Sequence, residues 1–173
     1  IENILSFAFD KNASRIFYLT KGAFGAEGFL VDRKGAGEKL IWEFPTTEWI
    51  AQWFAGDEVV LTSKAGNGIN GFAYLLNTKT GSATLTLADI PALTTKPSPS
   101  GKMILYTSIE GTTWETYIYN TKEKTHVRIP YDVIPEKCVW TKDELSVYCA
   151  RPRAISKNAP DDWYQGLVSF SDT

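Results

Sequence analysis

Two cysteines are the residues of this 173-residue chain whose placement most directly indicates chemistry. Cys138 and Cys149 lie on the two arms of a predicted hairpin, at similar distances from the polar turn at 142–144. If the arms pair, the two β-carbons approach disulfide distance, and a disulfide would indicate an oxidising compartment. The alternative is a pair of free buried thiols, which pack as small apolar groups.

The residues needed for a metal centre or a nucleophilic triad are scarce. His126 is the sole histidine, and it falls in a predicted outer strand. A metal site needs several converging ligands. A catalytic Ser-His-Asp triad or Cys-His dyad would have to use this one imidazole. No Gly-x-Ser-x-Gly motif occurs. We therefore interpret His126 as an ordinary strand residue, and we expect no catalytic residue, no cofactor and no metal.

Carboxylates and glycines suggest two further kinds of site, a glycosidase carboxylate pair and a phosphate-binding loop. Paired carboxylates could hydrolyse a glycoside if the fold brought them together, but the sequence does not show such a pair, and solvated loop charges are the simpler interpretation. The candidates are Glu110, Glu115, Asp132, Asp161 and Asp162. The glycine-rich segment 64–71 lacks the Lys-Ser/Thr of a phosphate-binding loop and is interpreted as a flexible connection between strands.

Composition excludes several classes of protein. The chain is 43% apolar and 13% aromatic, which is too apolar for a disordered protein. Its 18 basic and 20 acidic residues give a net charge of −2, so charge provides no basis for nucleic-acid binding. No uncharged apolar stretch reaches the length of a membrane span. The chain begins at Ile1-Glu2 without a signal peptide, which we interpret as a processed terminus or a domain boundary.

An internal repeat organises the whole sequence. Four hairpin-like segments, each a short strand, a polar turn and a β-branched or aromatic strand, occur at 6–20, 50–63, 95–108 and 137–150. A further strand pattern follows each hairpin and ends in a turn-forming Asp or Asn. These residues are Asp32, Asn77, Asn120 and Asp172, at spacings of 45, 43 and 52 residues. A four-stranded unit with this period is typical of a β-propeller blade.

The sequence therefore predicts an all-β propeller with about four blades of four antiparallel strands. Their approximate bounds are 1–45, 46–90, 91–134 and 135–173. Since the fourth unit ends where its last strand should begin, we expect the remaining blades of a larger ring. The alternative is that the N-terminal residues or a partner chain supply the missing strand.

One turn carries a family resemblance. The segment Pro97-Ser-Pro-Ser-Gly-Lys102 resembles the Ser-Pro-Asp-Gly-Lys hairpin of the WD40-like repeats in TolB-type propellers, with Ser100 in place of the usual Asp. The turns at 10–16 and 141–145 are similar in a degenerate form. The resemblance implies a fold and no particular activity, because propellers host enzymes, scaffolds and ligand binders alike.

The longest departure from the period is an insertion at 151–166, between the predicted second and third strands of the last blade. Loops of that type share a propeller face with the inter-blade connections, and long loops in compact repeats are often functional. We expect this loop to bind a partner or to pack its aromatic residues on a neighbouring blade. The candidate binding residues are Arg151, Arg153, Asp161, Asp162, Trp163 and Tyr164.

These features favour a non-catalytic binding or scaffold module of a periplasmic or extracellular bacterial protein, which recognises a protein or cell-surface ligand through loops on one face. The alternative is a propeller domain of an enzyme. It would be either the gating domain of a prolyl-oligopeptidase-like peptidase or a glycosidase with carboxylates at the channel end. A structural surface protein without a small ligand is a third hypothesis.

Overall fold

The computed structural model describes residues 3–111, 113–153, 156, 158–169 and 171–172. In that part the chain is almost entirely β-structure, with one 3₁₀ turn at Pro135–Lys137 and one short helix, α1, at Asp161–Tyr164. The strands are β1 Ile4–Phe9, β2 Arg15–Lys21, β3 Ala26–Asp32, β4 Lys39–Phe44, β5 Trp49–Ala55, β6 Glu58–Ser63, β7 Asn70–Asn77, β8 Ala83–Pro91, β9 Thr94–Pro97, β10 Met103–Glu110, β11 Thr113–Asn120, β12 Thr125–Ile129, β13 Cys138–Trp140 and β14 Val147–Cys149.

The strands form antiparallel sheets in chain order, as the repeat predicts. Three sheets have four strands, in the orders β1-β2-β3-β4, β5-β6-β7-β8 and β9-β10-β11-β12, and the fourth contains β13 and β14. The predicted propeller-blade architecture is confirmed, with a last blade that is small. No helix in the described residues is long and apolar enough to cross a membrane.

The second strand of each complete sheet is buried on both of its faces. Consecutive residues, which point to opposite faces, are at most 3% exposed: Phe17 and Tyr18 in β2, Val59 and Val60 in β6, and Ile104 and Leu105 in β10. A strand covered on both sides reads as a continuous apolar run rather than an alternating pattern. This explains why these strands contain the most uniformly apolar segments of each repeat.

The chain forms two compact units, one made of residues 1–63 and 73–86 and the other of 64–72 and 87–173. The first unit contains an aromatic cluster in which Trp49 lies edge-on to Phe44, Trp42 and Tyr74, at centroid distances of 4.9 to 5.7 Å. The second unit has a core in which Leu105 and Val133 pack with Cys138 and Trp140.

Charged side chains connect the first turns of successive sheets inside each unit. In the first unit, Arg15 donates to Asp57 at 2.7 Å and to the carbonyl oxygen of Gly56 at 3.0 Å. In the second unit, the Glu144 carboxylate accepts hydrogen bonds from the hydroxyls of Ser98 and Ser100. Each contact joins a β-turn to the turn one repeat later, so the repeat is fixed in register at this end of the strands.

The two cysteines form a disulfide, which was one of the two alternatives left open by the sequence. Cys138 and Cys149 are directly opposite in the β13–β14 pair. The hydrogen bonds on either side join Ala150 to Lys137 and Thr141 to Ser146, so the cysteines occupy a pair without hydrogen bonds of its own. Cα atoms are closest in such pairs, and here they lie 4.0 Å apart.

The third strand predicted for the last blade, at 167–172, differs from the structure. Phe170 lies outside the described residues, and among 167–169 and 171–172 only Asp172 forms a bridge, to Pro152. The backbone N–H groups of Leu167 and Val168 donate to the carbonyl oxygen of Asp162, at 2.8 and 3.3 Å. This segment therefore turns back on α1 instead of pairing with β14.

The first turn of the chain provides a pH-dependent test of this fold. Burial raises the pKa of Asp10, but hydrogen bonds from Ser14 and Arg15 outweigh it and lower the pKa from 3.8 to about 2. The stabilisation is therefore present above pH 3.8 and is lost as the pH falls through about 2. We expect Asp10→Asn to cost about 1–2 kcal/mol of unfolding free energy at pH 7, measured by urea denaturation.

The difference between wild type and Asp10→Asn should shrink steadily between pH 4 and pH 2. Asp89→Asn, which changes an exposed aspartate, is the matched control and should have little effect at any pH. A constant difference down to pH 2 would show that the Asp10 carboxylate is not the source of the stabilisation.

Candidate binding surface

The insertion at 151–166 leaves β14 and folds against the second unit. The structure describes 151–153, 156 and 158–166 of it, and Ala154, Ile155 and Lys157 lie outside the described residues. Its ordered feature is α1, which follows Pro160 and places two acidic and two aromatic residues in a single helical turn. Each of these four side chains can therefore point in a different direction from one short segment.

An apolar contact anchors the helical part of the insertion. Ala159 is buried, and Trp163 packs beside it against a cluster from neighbouring sheets of the same unit. The other members of this cluster are Ala65, Ala92, Ile109, Trp114 and Ile134. Trp163 therefore stabilises the position of the loop by packing, which is the structural interpretation that the sequence left open.

The two aspartates of α1 hold the insertion through hydrogen bonds. Oδ2 of Asp161 accepts the backbone N–H of Asn67 at 2.6 Å, and so ties the insertion to the glycine-rich loop at 64–69. Oδ2 of Asp162 accepts the hydroxyl of Ser156, within the insertion itself. The loop interpreted from sequence as flexible is thus fixed at one point by a carboxylate.

Tyr164 makes the remaining polar contact of α1. Its hydroxyl donates to Oε1 of Glu136 at 2.5 Å, while Oε2 of Glu136 is buried without a partner among the described residues. Burial raises the pKa of Glu136, and the Tyr164 hydrogen bond and the charge of Lys96 partly oppose this effect. Burial, together with the nearby Glu136 charge, likewise raises the pKa of Tyr164.

The two arginines of the insertion are exposed, as is Tyr164, whereas Asp161, Asp162 and Trp163 of α1 are partly buried. The guanidinium of Arg151 lies 5.9 Å from the ring centroid of Tyr131, within the range of a cation–π contact. The backbone N–H of Arg153 donates to the carbonyl oxygen of Ser171 at 2.9 Å. Both side chains are therefore exposed, with Arg151 beside Tyr131, and the backbone of this segment is bonded at Ala150 and at Arg153.

A groove of about 410 Å³ lies beside β14, and we call it the β14 groove. Most of its surface is apolar, with one arginine at its border. Its lining residues are Ile129, Pro130, Tyr131, Val133, Val147, Tyr148, Cys149 and Arg151. Tyr131 and Tyr148 are more than half exposed, so the groove brings two aromatic side chains to the surface next to Arg151.

The six residues predicted from sequence thus separate into two groups. Asp161, Asp162, Trp163 and Tyr164 make the hydrogen bonds and packing contacts that anchor α1, whereas Arg151, beside Tyr131, and Arg153 lie in the exposed segment that precedes it. Sequence reasoning did not single out Tyr131, Tyr148 or Glu136. Tyr148 gave a signal, since it is an aromatic residue three positions before the insertion, but Tyr131 and Glu136, in the connection between β12 and β13, gave none.

Among the described residues, no group of three or more His, Cys, Asp or Glu could hold a metal ion. His126 lies in β12, opposite Tyr119, and its Nδ1 lies 2.9 Å from the hydroxyl of Tyr106. It is therefore a strand residue paired with a tyrosine, as the sequence predicts.

The Asp161 contact predicts local coupling between the two loops. Asp161→Ala removes the acceptor for the Asn67 N–H, and a hydrogen bond to a charged group is worth about 1.5–3 kcal/mol. We expect the Asn67 amide to exchange with solvent at least about tenfold faster, measured by hydrogen exchange with NMR detection. Asp162→Ala, which removes the neighbouring carboxylate, should leave that amide unchanged, and equal effects of both variants would contradict the assignment.

The Tyr164 contact predicts a shift in the titration of Glu136. Since the folded pKa of Glu136 is raised, its contribution favours the folded state at acid pH and is lost as the pH rises through the folded pKa. Tyr164→Phe removes the hydrogen bond that opposes this shift, so the pKa should rise further. Carboxyl ¹³C NMR would measure the titration, and an unchanged or lower pKa in Tyr164→Phe would refute the contact.

Comparisons with known proteins match the fold. TolB from Acinetobacter baumannii matches with a TM-score of 0.67 and 18% identity, over 88% of this chain and 39% of that chain. A putative TolB from Agrobacterium tumefaciens matches with a TM-score of 0.58 and 12% identity, over 76% of this chain and 50% of that one. An acylaminoacyl peptidase from Pyrococcus horikoshii matches with a TM-score of 0.57 and 9% identity, over 77% of this chain and 26% of the peptidase chain.

The chain spans half or less of the length of each of these proteins. No protein-family model matches the sequence, and no curated protein matches it. Identities below 20% support a common fold and no shared activity. The chain is therefore similar in fold to part of the β-propellers of TolB proteins and of peptidases with propeller domains.

Proposed function

We propose that this chain is a non-catalytic β-propeller module that binds a protein or cell-surface ligand through the insertion at 151–166 and the residues beside it. The observation that carries the proposal is the division of the insertion into an anchored helix and an exposed basic segment. Ala159, Asp161 and Trp163 hold the helix, while Arg151 and Arg153 are exposed.

The chemistry of the exposed segment supports recognition of a protein surface. Arginine and tyrosine are enriched among the residues that dominate binding energy at interfaces. Arg151 lies beside the ring of Tyr131, and Tyr148 exposes two thirds of its surface on the same groove. Because both arginines are positive, the partner should present carboxylates or another anionic group opposite them.

An extracytoplasmic location is part of the same proposal. The Cys138–Cys149 disulfide would persist in an oxidising compartment such as the periplasm or the cell exterior. TolB proteins are among the chains with a similar fold, and this likeness is compatible with the same setting. The partner would then be a protein or surface ligand of that compartment.

A propeller domain of an enzyme is the competing function. Its support is the similarity of fold to the Pyrococcus horikoshii acylaminoacyl peptidase, in which case catalytic groups would come from a domain outside this sequence. A glycosidase site would instead require two converging carboxylates. Glycoside hydrolysis by this chain would favour the glycosidase, and binding through the exposed arginines without glycoside hydrolysis would favour the binding module over it.

The proposed function predicts that the two arginines are needed for binding and dispensable for folding. We expect Arg151→Ala/Arg153→Ala to weaken capture of the partner from an envelope extract of the source cells by at least about tenfold, since each charged contact at an interface is worth about 1–3 kcal/mol. Quantitative pull-down with mass spectrometry would measure the loss, and the circular dichroism spectrum should not change.

The matched control is Lys122→Ala/Lys142→Ala, which removes the same charge from exposed turns at the opposite end of the strands. This control should retain binding. If both double variants capture the partner as well as the wild type does, the insertion is not part of the binding surface. If both lose capture equally, the loss is a non-specific effect of charge.

A further inference from the structure

The segment after β6 contains the only two Asn-Gly pairs of the sequence, Asn67-Gly68 and Asn70-Gly71. Asparagine is a chemically labile residue, and a following glycine shields its own backbone nitrogen least because it has no Cβ. The two pairs therefore have the same local chemistry. Their surroundings differ, and the difference determines which asparagine can react.

Asn67 and Gly68 are the two central residues of an exposed β-turn. The Ile69 N–H donates to the carbonyl oxygen of Gly66 at 3.0 Å, and Gly68 has a φ of +72°, which the second central position of a type II turn requires. A Cβ placed on Gly68 would have no neighbour within 4 Å. Within the described part of the chain, the structure shows no hydrogen bond at the Asn67 side-chain amide or at the Gly68 N–H. The two groups can therefore approach each other without losing a hydrogen bond.

The pair Asn70-Gly71 is held in a strand. Asn70 is the first residue of β7, and the second, Gly71, is buried. Strand backbone is extended, and ring closure between consecutive residues needs a rotation that would lift this end of β7 out of its sheet. Reaction at Asn70 therefore requires local unfolding, whereas reaction at Asn67 requires only movement within a surface turn.

We propose that Asn67 is a site of spontaneous deamidation, and that its conversion to an acidic residue weakens the anchor of α1. The backbone nitrogen of Gly68 attacks Cγ of Asn67. The new N–Cγ bond replaces the Cγ–Nδ2 bond, and Nδ2 leaves as ammonia with the proton of the Gly68 amide. Water then opens the cyclic imide at either of its carbonyl groups, which gives aspartate or isoaspartate at position 67. The reaction consumes only water and needs no oxidant or reductant.

The anchor is affected because Asn67 is the residue that α1 holds. Oδ2 of Asp161 accepts the Asn67 N–H at 2.6 Å, and Oδ1 lies 3.8 Å from the position of a Cβ on Gly66. Either product places a second carboxylate on the residue that donates this bond, and like charges repel at such short range. Isoaspartate also inserts a carbon into the backbone of the turn that Ile69 and Gly66 close. Both changes weaken the Asp161 hydrogen bond.

The other anchors of α1 remain, so deamidation loosens the helix and does not release it. Ala159 and Trp163 still pack on their apolar cluster, and the Tyr164 hydroxyl still donates to Glu136. An effect on partner binding would rest on the proposed function, because it would act through the position of the insertion. The modification and its effect on α1 do not depend on any partner.

Peptide mass spectrometry measures the selectivity between the two asparagines. The folded 173-residue chain is held in warm, mildly alkaline buffer and digested, and aspartate and isoaspartate are quantified at positions 67 and 70. We expect Asn67 to react at least about tenfold faster than Asn70. In urea, where unfolding removes both surroundings, the two asparagines should react at similar rates. Similar rates in the folded chain, or a preference for Asn67 that persists in urea, would overturn the proposal.

Hydrogen exchange measures the effect on α1. The Gln165 N–H donates to the carbonyl oxygen of Asp161 at 2.9 Å. We expect this amide to exchange at least about threefold faster in Asn67→Asp and in the purified deamidated chain. The matched control is Asn70→Asp, which adds the same charge at an exposed residue three positions away, and it should leave the Gln165 amide unchanged.

Two results would refute the link to α1. One is unchanged exchange of Gln165 in both Asn67→Asp and the deamidated chain, and the other is equal acceleration by Asn70→Asp, which would assign the effect to charge alone. Neither readout involves a partner, so a failure here is distinguishable from a failure of the binding proposal.

Discussion

A four-stranded antiparallel sheet has two faces and cannot bury either of them by itself, so within each unit a sheet depends on its neighbour. In the first unit Trp49 of the second sheet is buried against Trp42 and Phe44 of the first. In the second unit Trp140 of the last sheet packs with Leu105 of the third. Burial of one large apolar side chain contributes about 1.5–3 kcal/mol, and this contribution repeats at each sheet-to-sheet contact.

The charged contacts between successive turns are weaker by comparison. Arg15 and Asp57 keep 33% and 23% of their side-chain surface exposed, and partly exposed ion pairs are worth about 0–1 kcal/mol. Packing therefore supplies most of the stability, and the Arg15 and Glu144 contacts chiefly set the register between neighbouring turns. Their residue types differ between the two units, which explains why the sequence repeat does not contain a constant charged motif.

Local chemistry made most of the fold predictable from the sequence. Polar turns between β-branched and aromatic runs located the hairpins, and Asp32, Asn77 and Asn120 end β3, β7 and β11 as expected. The last blade was less predictable, because an Asp after an apolar segment also occurs in a loop. Asp172 follows such a segment, but Leu167 and Val168 bond to the backbone of Asp162. These bonds close a local turn onto α1, and a turn of this kind leaves no period-two signal in the sequence.

The candidate surface was predictable in position and only partly in role. The stretched period located the insertion, whereas the packing of Trp163 involves residues from other parts of the chain, and the Asp161–Asn67 bond spans 94 positions. The composition of 161–164, two acids and two aromatics, is equally compatible with binding and with anchoring. Only the three-dimensional contacts separate Arg151 and Arg153 from the α1 residues that hold them in place.

The proposed separation of roles would have a physical consequence for recognition. Immobilising a flexible side chain on binding costs about 0.5–1.5 kcal/mol, and ordering a loop adds to that cost. Here the Arg153 backbone is bonded to Ser171 and the helix beyond it is packed on the core, so much of the ordering occurs on folding. An anchored loop of this kind can bind with few exposed charges, because the residues that make contact need not also hold the loop.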